Sequence, residues 1–127
     1  MIVADTDVLV DFLRRGPSAE RIELEIRTGR LATTSIAVFE LWQGARTDRS
    51  MRDVETLFDA LDVMPLTAAA ARRAGIVRRD LLATKSDIGV ADSLVAGICL
   101  ESGALLLTRN RAHFERVPGL HLGRVET

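Results

Sequence analysis

One cysteine, Cys99, leaves the chain without a partner for an internal disulfide and suits a reducing compartment. It sits in the apolar run "VAGICL", where packing is the expected role of a thiol. Lysine is equally scarce: Lys85 stands alone, and 16 of the 17 basic residues are arginine. Acids and bases nearly cancel to a net charge of −1, so no global basic field marks the chain for nucleic acid. His113 and His121, with one distant cysteine, have no zinc spacing. The G-x-S-x-G elbow, the P-loop and the G-x-G-x-x-G fingerprint are missing from the sequence. No apolar stretch reaches the roughly 18 residues that cross a bilayer. A signal peptide is not expected either, because Asp5, Asp7 and Asp11 interrupt the N-terminal apolar stretch. Repeats, low-complexity tracts and linkers are lacking too. The expectation is one domain over residues 1–127, soluble and cytoplasmic.

What is present begins with apolar content: hydrophobic residues make up 47% of the 127, enough to bury a core without staples. Arginines cluster as Arg14-Arg15, Arg72-Arg73, Arg78-Arg79 and Arg109 with Arg111. Guanidinium forks suit phosphate geometry, while solvated helix faces account for such pairs equally well.

Along the chain, residues 2–5 read as a buried strand and "VLVDFLRR" begins a helix. Pro17 is placed to start a second helix, which Gly29 would close. A strand near "RLATT" precedes the helix "SIAVFELWQGA", capped by Thr34 or Ser35. Ser50 and Asp53 resemble a capping box, followed by Met51, Val54, Leu57, Phe58 and Leu61 at helical spacing. "DVMPL" reads as a third strand, and Thr67 as the cap of a long helix. After a loop at "KSDIG" come the helix "VADSLVAGICLESG", the strand "ALLLT", a helical turn "NRAHFER" and a last strand near "LHLG". Short apolar strands alternating with helices predict an α/β fold with a mainly parallel sheet. Sites in such sheets gather at the carboxyl ends of the strands.

That rule singles out Asp5, which ends the first strand. Glu40 is the only charge in an otherwise apolar or small helix, so it is expected to face the interior or a cleft. Asp92 stands near the start of another apolar helix. "LLLTRN" delivers Thr108 and Asn110 to the same sheet edge as Asp5. Plainer roles are open to each: Asp5 in a strand–helix turn, Asp7 in a first helical turn, Asp92 or Asn110 as an N-cap, Glu40 in an ion pair. Clustered carboxylates, however, repel and raise one another's pKa unless a cation sits among them. An all-oxygen donor set suits Mg²⁺ or Mn²⁺. Asp11, one turn beyond Asp7, is expected at the surface.

The blocks "IVADTDVLVDFL", "SIAVFELWQGA" and "ADSLVAGICLESGALLLTRNRAHFERVPGL" together resemble, in order, those of PIN domains, and specifically the VapC-type toxins of bacterial toxin–antitoxin pairs. No one block is specific; the ordered set, running from first strand to last, carries the resemblance. It implies a single-domain α/β/α sandwich on a mainly parallel five-stranded sheet. It also implies a Mg²⁺- or Mn²⁺-dependent endoribonuclease that a cognate antitoxin inhibits, and a homodimer or a hetero-oligomer with that antitoxin. Asp5, Glu40 and Asp92 match the family's first three acids and would hold the metal. Asn110 stands where many relatives have a fourth acid, and His113 where many have aspartate, so one metal fits better than two. Thr6 and Thr108 would position water, and Arg109 and Arg111 would grip the RNA backbone. The antitoxin would lay an amphipathic helix in a groove formed by Val8, Leu9, Phe12, Leu41 and Trp42, residues for which core packing is the other role.

Two rivals remain at this level. "DTD" after a strand also suits a haloacid-dehalogenase-like phosphatase, with Asp5 as nucleophile and Asp7 as general acid. That chemistry wants a later lysine, and only Lys85 is on offer. The other rival is a non-catalytic PIN-like binding module for RNA or protein, favoured by Asn110 and His113 and opposed by the intact Asp5, Glu40 and Asp92.

Overall fold

Val3 and Ala4 are neighbours in the first strand yet pack into opposite cores, as side chains alternating across a sheet must. The computed structural model describes residues 1–125. Its elements run β1 (Ile2–Ala4), α1 (Thr6–Leu13), α2 (Ala19–Arg27), β2 (Leu31–Thr34), α3 (Ser35–Gly44) and α4 (Asp48–Asp59). They continue with β3 (Asp62–Met64), α5 (Ala68–Ala83), α6 (Val90–Ser102), β4 (Leu105–Leu107), α7 (Arg111–Phe114) and β5 (His121–Leu122). The sheet has the order β3-β2-β1-β4-β5, with every pairing parallel. Ala4, Leu31 and Leu107 face the core covered by α1, α2, α3 and α4. Val3, Ala32 and Leu106 face the one covered by α5, α6 and α7. The three-layer α/β/α arrangement with its parallel sheet is the one expected.

From central β1 the chain winds outward through β2 and β3, then returns to the other side of β1 for β4 and β5. The strand order therefore reverses between β1 and β4, which opens a crevice beyond their carboxyl ends. Ala4 pairs with Leu107 in register, so whatever follows each strand meets there.

Threonines set several helix starts. Thr34 accepts the Ala37 N–H at 3.1 Å, and Thr67 accepts that of Ala70 at 3.0 Å. Gly103 ends α6 in the left-handed region at φ 69°, which a side chain would strain. Two expected starts differ. α2 begins at Ala19 after the N-cap Ser18, two residues past Pro17. The capping box of α4 is formed by Thr47 and Ser50, one turn before the Ser50–Asp53 pair. Of the apolar residues behind it, Val54, Leu57 and Leu61 are buried while Met51 is exposed.

α5 and α6 approach so closely that a Cβ on Gly97 would lie 2.5 Å from the Ala70 carbonyl oxygen and 2.7 Å from the Ala74 nitrogen. Backbone atoms cannot swing aside. Gly97→Ala would gain about 1 kcal/mol of helix propensity but lose roughly 1–3 kcal/mol to overpacking. Urea unfolding is expected to show a net loss of stability; a stabilised variant would mean that the two helices can separate freely.

Candidate active site

Asp5 follows β1 and caps α1, one carboxylate oxygen accepting the Thr6 N–H at 2.9 Å. The other accepts the Thr108 hydroxyl, also at 2.9 Å. Thr108 follows β4, at the same edge of the sheet. The next residue, Arg109, donates its backbone N–H to both oxygens of Asp7, each at 3.2 Å. Its guanidinium donates to Asp11 at 3.0 Å. Asp11 is therefore not a surface residue: it is 7% exposed and also accepts the N–H and hydroxyl of Ser18. Three acids of the first fifteen residues each meet a donor from two consecutive residues after β4.

The remaining expected acids come from the other side. Glu40, half-buried on α3, accepts the Thr6 hydroxyl at 2.7 Å. Asp92 lies in the first turn of α6, where the helix dipole favours a negative charge. Its Oδ2 is 3.2 Å from Asn110 Nδ2 and 2.8 Å from His113 Nδ1. Asn110 Nδ2 also lies 2.8 Å from that same ring nitrogen. A neutral imidazole serves only one of these neighbours: protonated at Nδ1 it donates to Asp92, protonated at Nε2 it accepts from Asn110.

These groups border a cavity of about 480 Å³ lined by Asp5, Thr6, Asp7, Asp11, Glu40, Asp92 and Asn110, with Val10, Arg14 and Arg109. Five carboxylates thus face two arginines. Burial, and after it the charge of Asp7, pushes the Asp5 carboxyl up to about 7, against the bonds from Thr108 and Thr6; Asp92 adds to the rise. Burial also raises Asp7, opposed by the Arg109 N–H. The hydroxyl and N–H of Ser18 hold Asp11 below the usual carboxylate range, helped by the Arg109 charge. Cys99 is buried, and burial followed by the Asp5 charge drives its thiol to about 12, which makes it an inert packing group.

Asp5, Thr6, Glu40, Asp92, Asn110 and Arg109 border the cavity. Thr108 is buried and donates its hydroxyl to Asp5, as Thr6 donates its own to Glu40, so each hydroxyl orients a carboxylate. Arg111 is not among the lining residues; it donates to the Gly123 carbonyl at 2.7 Å and pairs with Glu115. Arg14 and Asp11 also line the cavity, and the sequence alone does not single them out. The adjacent Arg14-Arg15 pair was the one signal for Arg14, and nothing local marked Asp11. Lys85, the lysine that a phosphatase would need, is exposed in the loop after α5 and does not line the cavity.

A family model for the PIN domain matches residues 2–120, and the chain belongs to that family. It is similar to the tRNA(fMet)-specific endonuclease VapC of Shigella flexneri, 28% identical over 120 residues that cover 91% of each chain. Among solved structures, the DNA-bound VapBC of Salmonella typhimurium superposes with a TM-score of 0.86 at 26% identity, over 98% of this chain and 97% of that one. VapBC2 of Rickettsia felis, bound to a promoter DNA fragment, gives 0.87 at 24% identity over 98% of both chains, a likeness of fold. Among the described residues no helix is long and apolar enough to cross a membrane.

The raised Asp5 carboxyl has a consequence for stability. An acid that binds its proton more tightly in the native than in the unfolded chain loses stability as pH rises from about 4 towards about 7. With EDTA present, the stability difference between Asp5→Asn and the parent should therefore widen in the variant's favour across that window, then level off. Denaturant melts at half-unit pH steps would check it, and a difference independent of pH would contradict the assignment.

Proposed function

We propose that the chain is a divalent-metal-dependent endoribonuclease and the toxin of a toxin–antitoxin pair, working in the cytoplasm as one domain. The observation that supports this reading best is the meeting of Asp5, Glu40, Asp92 and Asn110 in one cavity at the switch point of a parallel sheet. The residues suit a hard cation, because the carboxylates are all-oxygen donors and a cation beside Asp5 would offset the burial and the Asp7 charge that raise it. Among the described residues, no three carboxylate, imidazole or thiolate groups converge closely enough to hold an ion unaided. Mg²⁺ commonly retains several waters and takes one or two carboxylates together with substrate phosphate, which matches such a site. Asp5 and Asp92 would hold it, with Glu40 directly or through water. Bound there, Mg²⁺ or Mn²⁺ supplies a water of lowered pKa and positive charge against the phosphodiester.

The chain's own groups do the orienting. Thr108 fixes Asp5, Thr6 fixes Glu40, and Asn110 with His113 fixes Asp92. Arg109 and Arg14 border the same cavity and offer guanidinium donors to the RNA backbone. Unpaired RNA suits so small an opening, because its bases can be splayed. Initiator tRNA is the first substrate to test, given the name of the Shigella relative.

For the antitoxin, the expected groove needs redrawing. Val8, Leu9 and Leu41 are core residues. A larger cavity of about 1060 Å³ lies instead among the end of α1, α2 and α4, lined by Phe12, Leu13, Ile26 and Leu57 with charged residues at its margin. It suits the apolar face of an amphipathic helix. α1 walls both cavities, so a partner seated here would need only to round that helix to bring a basic group to the acids. Phe39 and Trp42 lie exposed on α3 and offer a surface to a second copy.

Asp5→Asn should lower Mn²⁺-dependent cleavage of initiator tRNA or single-stranded RNA by on the order of 10²-fold or more, the scale of losing a group that stabilises transition-state charge. Asp7→Asn should keep substantial activity, since an amide oxygen still accepts the Arg109 N–H. Equal loss in both variants would favour the phosphatase-like D-x-D reading, and no cleavage by the parent protein would favour a binding module. In cells, expression of the chain alone should arrest growth, with rescue by the gene immediately upstream. Harmless expression of soluble protein would count against the toxin.

A further inference from the structure

Arg109 is attached to the site by more than its place after β4. Its guanidinium is half-exposed, and one NH1 bond, to Asp11 Oδ1 at 3.0 Å, is the only hydrogen bond of that fork to the described residues. Asp11 in turn cannot move. Its Oδ2 accepts both the N–H and the hydroxyl of Ser18, which is why the N-cap of α2 makes no side-chain cap bond of its own. Behind it stands Gly16, where a Cβ would fall 1.9 Å from Asp11 Oδ1 and within 2.9 Å of the whole carboxylate group. The backbone of Gly16 is not in the left-handed region, so the demand there is for space alone. A buried carboxylate, fixed by two bonds from Ser18, therefore holds one edge of a half-exposed guanidinium, and Arg109 lines the cavity.

We infer that Asp11 is a positioning residue: seated against Gly16 and Ser18, it presets the Arg109 guanidinium to receive a phosphodiester oxygen of the RNA. The inference rests on the reading of the cavity as an RNA-cleaving site. An arginine free in solvent must lose rotamer freedom each time it binds, and one held in advance has already lost it. The bidentate fork still has donors to spare, because a single N–H is spent on Asp11. Sequence neighbours of Asp11 do not contribute to this role. Phe12 and Leu13 line the other cavity, and Val10 offers only apolar surface.

The test is steady-state cleavage of a single-stranded RNA oligonucleotide by the full chain in Mn²⁺, with thermal melts of every variant. Asp11→Asn should raise KM about fivefold and leave kcat within about twofold, and Arg109→Ala should raise KM about tenfold. The double variant should be no worse than Arg109→Ala alone, since the first residue acts only through the second. The dependence of binding on salt should weaken by about 0.7 in log–log slope for Arg109→Ala, one phosphate contact on a single strand, and by less for Asp11→Asn, which keeps the guanidinium. Should Asp11→Asn fail to fold, Ser18→Ala carries the comparison: it loosens the carboxylate without touching its charge and should raise KM two- to threefold. A variant that melts lower but keeps the parent KM, or a double variant whose effects multiply, would overturn the inference and leave Asp11 a structural residue. A parent protein that neither binds nor cleaves RNA would overturn the reading of the cavity, and this inference with it.

Discussion

Thr108 and Arg109 supply the donors on which the site depends. Three aspartates, at positions 5, 7 and 11, lie against the sheet edge in surroundings that disfavour charge. Between them the two residues reach all three, through a hydroxyl, a backbone N–H and a guanidinium. Hydrogen bonds to charged groups contribute about 1.5–3 kcal/mol each, while the same groups buried alone would cost more than that. The arrangement is possible because β1 and β4 run parallel with Ala4 opposite Leu107, and the Asp5 N–H donates to the Leu107 carbonyl at 2.9 Å. A one-residue slip of that pairing would turn Thr108 to the far face of the sheet. Register in a pair of three-residue strands thus decides which donors the carboxylates of the cavity meet.

The compensation stops short at Asp5 and Asp7, and furthest at Asp5. Asp5 keeps two good bonds and still sits near 7, because burial and the Asp7 charge outweigh them. Donors are arranged to orient this carboxylate more than to stabilise its charge. Perturbed acids of this kind collect where chemistry is done. Asp11 shows the opposite balance, with more donors than repulsion and a carboxyl held low. Two aspartates, one capping a short helix and one within it, are thereby given different electrostatic characters by their neighbours alone.

Most of the architecture could be read in the sequence because it is written locally. Strands of apolar residues, threonine caps at 34 and 67, and the glycine after α6 are all signals within a few positions of their effect. The acids of the site were legible for a related reason, since a charge inside an apolar helix or at a strand end contrasts with its neighbours. What escaped was written at a distance. Asp11 resembles any polar residue on a helix, and its partners are 7 and 98 positions away. Ser50 was given the wrong role because S-x-x-D and T-x-x-S patterns overlap by one turn, and only the backbone selects between them. Val8, Leu9 and Leu41 were expected to line a groove and are buried instead, because sequence alone does not say which apolar face of α1 meets the sheet. Val8 and Leu9 turn inward, while Phe12 and Leu13 point to a neighbouring hollow.

α1 has only eight residues, and each has a separate obligation. Thr6 and Asp7 hold partners across the site, and Val8 and Leu9 fill the interior. Val10 and Asp11 border one cavity, and Phe12 and Leu13 the other. A helix this crowded has no neutral position through which evolution can drift. Change in the partner-facing residues would have to proceed without turning or shifting the helix, since a rotation that improves one face spoils the next. Variation among sequences of this kind should accordingly concentrate on the exposed face of α5, which walls neither cavity, and leave α1 among the slowest segments to diverge.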